Sequence, residues 1–276
     1  MKYSPYLTYY RYSFIHYFCF TLTFIDFSLG AVYMEEGSYT EAKFMLEQSM
    51  ELLQSTTTTL ELTIKDRNNY SIDTQFFRIK ACKWKLTAAL ALFAKLEHKS
   101  GNLEVAKRLY MQYLNTSKEM DNVNGIAESL LQLAGIYKEE KNYSEAKNLY
   151  SMALQVAYGV QAVDKVILIT FATGELYYLT GDFEKARSYF SDCLQQTQAN
   201  CDTRMAIKVQ LAWAKLEIEN SMFENATKLL KRTLGAAVEA KDEACIEKIK
   251  RYLALLEDRE LNVKKIDWSS EDSSTD

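Results

Sequence analysis

Proline is almost missing from this 276-residue chain: there is one, Pro5, and no later residue interrupts a helix through a missing backbone N–H. Glycine is also sparse, at nine residues, so helix is permitted almost everywhere. Histidine occurs only as His16 and His98, in separate contexts, and there is no HExxH, GxSxG, Walker-type glycine loop or GxGxxG. With so few convergent reactive groups the chain reads as a non-enzyme, and neither a cofactor nor a metal is implied. His98 reads as a surface residue, and the pairs Glu35-Glu36 and Glu139-Glu140 read as solvated faces at turn approaches.

The five cysteines (Cys19, Cys82, Cys193, Cys201, Cys245) are an odd number without a CxxC pair, which suits a reducing compartment and buried thiols. Lys and Arg number 33 against 37 Asp and Glu, a net charge of −4, and no basic stretch carries interleaved aromatics. Nucleic acid is therefore not an expected partner. No apolar run is long enough for a bilayer, since the run from Phe14 to Ile25 contains His16 and stops at Asp26. Lys2 and Arg11 ahead of it resemble a secretory leader, but cleavage after Gly30 would cut a helix. Residues 1–22 are read as a packed cap or a divergent leader, and the expected location is cytoplasmic.

What the chain does have is an internal period. Ala106, Ala146, Ala186 and Ala226 stand 40 apart, each ending the same short signature, as in Gly101-Asn102-Leu103-Glu104-Val105-Ala106 and Gly181-Asp182-Phe183-Glu184-Lys185-Ala186. A fifth copy ends at Ala42. Upstream of each alanine lies a large and small pair: Leu29-Gly30, Phe93-Ala94, Leu133-Ala134, Thr173-Gly174 and Trp213-Ala214. Tyr33, Tyr137 and Tyr177 follow three residues after the small one, and Leu46, Tyr110, Tyr150, Phe190 and Leu230 lie four after each alanine. Spacings of three and four put these residues on one face of each of two helices. Small residues let the helices approach, and the bulky ones fill the gaps between hairpins.

Those motifs, in that order across residues 23 to 260, resemble the tetratricopeptide repeat superfamily. The period exceeds the usual 34 and is similar to the longer-helix variants of G-protein-signalling modulators, kinesin light chains and ciliary repeat proteins. The resemblance implies an all-α, right-handed superhelical solenoid of antiparallel helix hairpins over residues 23–262, five repeats long, closed by a lone capping helix at residues 242–260. The threonine run Thr56 to Thr59 reads as a loop within an insert near residues 55–72, followed by one unusually long helix from Ser71 to Lys99. Residues 263–276 are too polar to pack and read as a disordered acidic, serine-rich tail. It would solubilise the chain, and its serines beside acids also suit an acidophilic kinase.

The resemblance further implies a protein-interaction scaffold or adaptor that binds a peptide or amphipathic helix in a concave groove lined by the first helices. Carried over position by position, the groove residues are Phe27, Leu131, Phe171 and Leu211 at the fifth place of the repeat, Glu175 and Lys215 at the ninth, and Lys138, Tyr178 and Ile218 at the twelfth. This set is an apolar stripe with mixed charge. It lacks the lysine and asparagine with which chaperone-binding members clamp a C-terminal carboxylate. The alternative is a structural subunit of a stable cytoskeletal or ciliary assembly, in which the same face packs internally.

Overall fold

The computed structural model describes residues 27–65 and 72–257. The leader at 1–22 and the tail at 263–276 lie outside the described residues, as do residues 66–71. Every described element is a helix: α1 (27–35), α2 (Tyr39–Lys65), α3 (Ile72–Lys99), α4 (Leu103–Glu119), α5 (Val123–Glu139), α6 (Tyr143–Gly159), α7 (Val163–Leu179), α8 (Phe183–Ala199), α9 (Thr203–Glu219), α10 (Phe223–Glu239) and α11 (Glu243–Glu257). The result is an all-α repeat solenoid of five hairpins, α1/α2 to α9/α10, followed by α11.

The chain divides into two compact units, Met1–Lys165 and Val166–Asp276. In the first, α2 packs on α3, α3 on α4, α4 on α5 and α5 on α6; in the second, α8 packs on α9, α9 on α10 and α10 on α11.

Helices α4 to α10 are each 17 residues long, and the turn chemistry explains why they stop together. Each of these helices is followed by a residue with positive φ: Asp121, Lys141, Gln161, Gly181, Cys201, Ser221 and Lys241, with Gly101 doing the same after α3. The next N–H reaches back five residues to close the helix, as in Asn142 N to Tyr137 O at 2.9 Å and Asp202 N to Thr197 O at 3.0 Å. That next residue also starts the following helix. The side chains of Asn122, Asn142, Asp182, Asp202 and Asp242 each accept a hydrogen bond from the N–H three residues on. One three-residue junction thus caps two helices, and it recurs every 20 residues.

The core follows the repeat signature. Ala42, Ala106, Ala146, Ala186 and Ala226 are each 0% exposed, and Leu46, Tyr110, Tyr150, Phe190 and Leu230 are buried with them. The small upstream residues are small for a steric reason. A Cβ on Gly174 would lie 2.8 Å from Phe190 Cε1, and one on Gly30 would lie 2.9 Å from Leu46 Cγ. The large partner is less uniform. Leu29 is 39% exposed, and Trp213 is half-buried with its indole N–H committed to Glu217.

The expected loop at Thr56 to Thr59 is instead helix, and α2 runs unbroken to Lys65. Each threonine hydroxyl donates to the carbonyl four residues back: Thr56 to Leu52 at 2.6 Å, Thr57 to Leu53 at 2.7 Å, Thr58 to Gln54 at 2.9 Å and Thr59 to Ser55 at 2.8 Å. Leu53, Thr57 and Leu60 form one buried face, and this packing overrides the weak propensity of the run. The long second-repeat helix is present as α3, 28 residues from Ile72 to Lys99.

The cysteines correct a second expectation. Cys82 and Cys193 are buried, and burial pushes the Cys193 thiol up to about 12. Cys201, however, is exposed at a turn, and Cys245 is only half-buried; Cys19 lies outside the described residues. Helix α11, where a capping helix is expected, buries Ile249 and Tyr252 and leaves Glu247 and Arg251 exposed, joined at 2.9 Å.

Candidate functional site

The nine candidate groove residues fall on the first helices α1, α5, α7 and α9, and the two units hold them differently. In the first unit Leu131 and Lys138 are half-buried on α5. Phe27, on α1, packs into the cores around Ala42, Leu46, Leu53 and Leu60. In the second unit Phe171 packs on Phe190, with ring centroids 6.0 Å apart, and Leu211 packs into the core around Ile207, Ala214 and Leu230. Tyr178 leans on Phe183 at 6.4 Å, donates its hydroxyl to Glu219, and lies under Lys215, whose Nζ stands 5.9 Å from the ring centroid. Glu175 is half-buried.

Ile218 departs from its expected place. It is 2% exposed and belongs to the core, so no partner reaches it. The helix turns it inward, between the buried Glu217 and Ala214, where the twelfth place of the preceding hairpin holds the partly exposed Tyr178. The accessible apolar group on this face is one outside the nine: Leu168, one turn before Phe171 on α7, is 44% exposed.

The sequence reading missed two buried carboxylates, Glu97 and Glu217, each 1% exposed. Glu217 receives Arg187 Nε at 2.7 Å and Nη2 at 3.1 Å, and Trp213 Nε1 at 2.7 Å. Glu97 is ion-paired with Lys43, Nζ at 2.6 Å, and accepts a hydrogen bond from Asn102 Nδ2 at 2.6 Å. In both cases a base directly after a signature alanine reaches into the next hairpin, and the carboxylate stands where other repeats carry tyrosine. Lys107, after Ala106, makes the corresponding reach onto Tyr137, 4.5 Å from the ring centroid, and also binds Glu140 at 2.7 Å. The signal was present in the sequence: Glu97 and Glu217 occupy the place of Tyr137 and Tyr177, and Lys43 and Arg187 each directly follow the signature alanine of the hairpin before.

Glu139 and Glu140 are exposed, as expected, and each also pairs with a base of another helix. Glu140 binds Lys107, and Glu139 accepts from His98 Nε2 at 2.9 Å, with His98 half-buried and edge-on to Tyr110. Glu128 on α5 is held similarly by Lys165 and by Gln132 Nε2 at 3.0 Å. Burial pushes the Glu128 carboxyl up, but the hydrogen bond and charge of Lys165, with Gln132 and Lys95, outweigh it and hold the group below the usual carboxylate range. A depressed folded-state pKa means that the stabilisation is present above the unfolded pKa and is lost as pH falls through the folded one. Lys165→Met is therefore expected to raise the Glu128 pKa and move the onset of acid unfolding to higher pH. A carboxyl-carbon NMR titration checks the first effect and circular dichroism against pH the second.

Among the described residues no helix is long and apolar enough to cross a membrane. Nor do any of them form a group of three or more His, Cys, Asp or Glu placed to hold a metal ion.

Paired helices, a small residue against a bulky one, a buried signature alanine and a capped turn are the features of a tetratricopeptide-repeat fold. The tetratricopeptide repeat family model matches residues 125–199. Comparison with curated protein sequences returns no match. Among solved structures the chain is similar to a signal transduction ATPase with numerous domains from Pyrococcus horikoshii that has a tetratricopeptide repeat sensor, with TM-score 0.63 and 13% identity over 85% of this chain and 32% of that one. It thus spans about a third of that protein's length. It is also similar to aspartyl phosphate phosphatase F from Bacillus subtilis, with TM-score 0.57 and 12% identity over 87% of this chain and 60% of that one. A putative kinesin light chain of nearly identical repeats from Podospora anserina gives TM-score 0.54 and 14% identity over 78% and 94%. At these identities the likeness is one of fold.

Proposed function

We propose that this chain is a protein-interaction scaffold that binds a peptide or amphipathic helix of a partner on the first-helix face of its repeats, and that it has no catalytic role. The observation that carries this reading lies in the second unit. Leu168 is 44% exposed beside the half-buried Phe171, Glu175 and Tyr178 of α7, with Leu211 and Lys215 on α9. An exposed aliphatic group within a partly buried apolar and aromatic surface, rimmed by charge, is the composition expected of a protein-binding patch. The repeats of the Pyrococcus horikoshii protein serve it as a sensor, and those of the Podospora anserina protein belong to a kinesin light chain, which agrees with an interaction role for such repeats. The expected setting is cytoplasmic, with a cytoskeletal or ciliary one as the alternative.

Phe171 and Leu211 are poor positions for testing this, because both support the core. Leu168→Glu introduces a charge on the proposed face without emptying the interior. Lys228→Glu, on the exposed side of α10, serves as the control. In affinity capture with the purified chain, Leu168→Glu is expected to reduce partner recovery about tenfold, the effect of losing one interface anchor, while Lys228→Glu leaves it unchanged. Equal recovery by both variants, with unaltered circular dichroism, overturns the assignment of this face and favours its use in internal packing.

A further inference from the structure

We infer that the first-helix face of the second unit selects an acidic partner: an amphipathic helix whose apolar residues meet Leu168 and Leu211 and whose carboxylates meet Arg204, Lys208 and Lys215. This selectivity rests on the interaction reading above and adds the charge of the partner to it.

Arg204, Lys208, Leu211 and Lys215 follow one another on α9 at intervals of four, three and four, which aligns them in a single stripe. No acidic residue interrupts it. The two acids of α9 are engaged elsewhere: Glu217 is buried against Arg187, and Glu219 accepts from Tyr178. Arg204 and Lys208 are exposed and make no hydrogen bond or ion pair among the described residues.

The first unit supplies a contrast. There the corresponding place, 80 residues before Lys208, is Glu128, and Lys165 of the following first helix answers its charge. The residue that stands to Lys208 as Lys165 stands to Glu128 is Cys245, a half-buried thiol that offers no charge to Lys208 at neutral pH. The chain's own helices satisfy the charge at this place in one unit and leave it open in the other.

Arg204 and Lys208 line a cleft of about 460 Å³ with Asp202, Met205, Ile207, Asp242 and Cys245. The two aspartates there keep their charge while accepting backbone N–H bonds, Asp202 from Met205 and Asp242 from Cys245, both at 3.0 Å, and the bonds from Cys245 together with the charge of Arg204 hold the Asp242 carboxyl below the usual carboxylate range. On α11 Lys248 and Arg251 continue the cationic character, the latter shared with Glu247. On α9 the cations thus flank Leu211, and the exposed Leu168 lies on α7 of the same unit. Carboxylates placed beside apolar anchors complement both features.

The chain as a whole carries −4, so a preference for an acidic ligand must come from this local stripe. The probes are two synthetic peptides of about 15 residues, each with leucine at helical spacing and the remaining positions all glutamate in one and all lysine in the other. Binding to the full chain is measured by fluorescence anisotropy. The glutamate peptide is expected to bind about tenfold or more tightly than the lysine peptide, with affinity falling as salt rises. R204E/K208E should remove that preference, and R204Q/K208Q should weaken the glutamate peptide alone. Leu168→Glu should weaken the glutamate peptide, the ligand that uses the apolar anchor.

If the two peptides bind equally, R204E/K208E changes neither and Leu168→Glu weakens both, the acidic partner is overturned while the interaction face stands. If neither peptide binds, the acidic partner is also overturned, and the Leu168→Glu capture experiment independently decides the interaction face.

Discussion

Replacing Arg187 by methionine is expected to destabilise the chain by about 3–5 kcal/mol, the cost of leaving a buried charge without its partner. Glu217 would retain Trp213 Nε1 as a donor but lose both guanidinium bonds. Methionine preserves much of the aliphatic stem, so the loss reports the charge more than the packing. Adding Glu217→Gln should recover more than half of it, because the neutral amide no longer needs a counter-ion. Urea unfolding of the two variants against the parent measures both steps. An effect below about 1 kcal/mol for Arg187→Met would place the bridge among ordinary surface pairs. The same logic applies to Lys43 and Glu97 in the first unit, where the base is more exposed and a smaller loss is expected.

A second large effect is expected at the contact between Gly174 and Phe190. Phe190→Ala should cost about 3–5 kcal/mol, since the ring is fully buried and packs on Phe171. Gly174→Ala should cost about 1–3 kcal/mol by overpacking, because the new Cβ would stand 2.8 Å from the ring edge. Joining Gly174→Ala to Phe190→Leu should cost less than the sum of the two single changes, since the smaller side chain yields the space that the methyl takes. Thermal and urea midpoints of the parent, the two single variants and the double variant give the coupling directly. Strict additivity would mean that the two sites do not share that space.

Much of this arrangement was legible because each repeat states it again. A lone Ala186 could be anything, but Ala106, Ala146, Ala186 and Ala226 at equal spacing identify a place where only a methyl fits, and all four are 0% exposed. The half-period was harder to read. The turns at Gly101 and Gly181 announce themselves by glycine, whereas those at Asp121, Gln161, Cys201 and Lys241 use left-handed residues of no shared type. Backbone hydrogen bonds, not side chains, define those turns.

The threonine run misled because local propensity favours a loop, while burial of Leu53, Thr57 and Leu60 rewards a helix. For the candidate site, helix face was legible and depth was not. Family positions put Ile218 and Tyr178 at equivalent places, yet one is interior and the other partly exposed, because the residues packed around each hairpin differ. The latches at Glu97 and Glu217 were visible only as departures from the tyrosine pattern.

Recognition of a partner through the first helices is tested most directly by photo-crosslinking. A benzoylphenylalanine placed at position 168 on α7 faces the proposed partner, and one at position 228 on α10 does not. Crosslinks to the bound partner are expected from position 168 and none from 228. Crosslinks from 228 with none from 168 would contradict first-helix recognition.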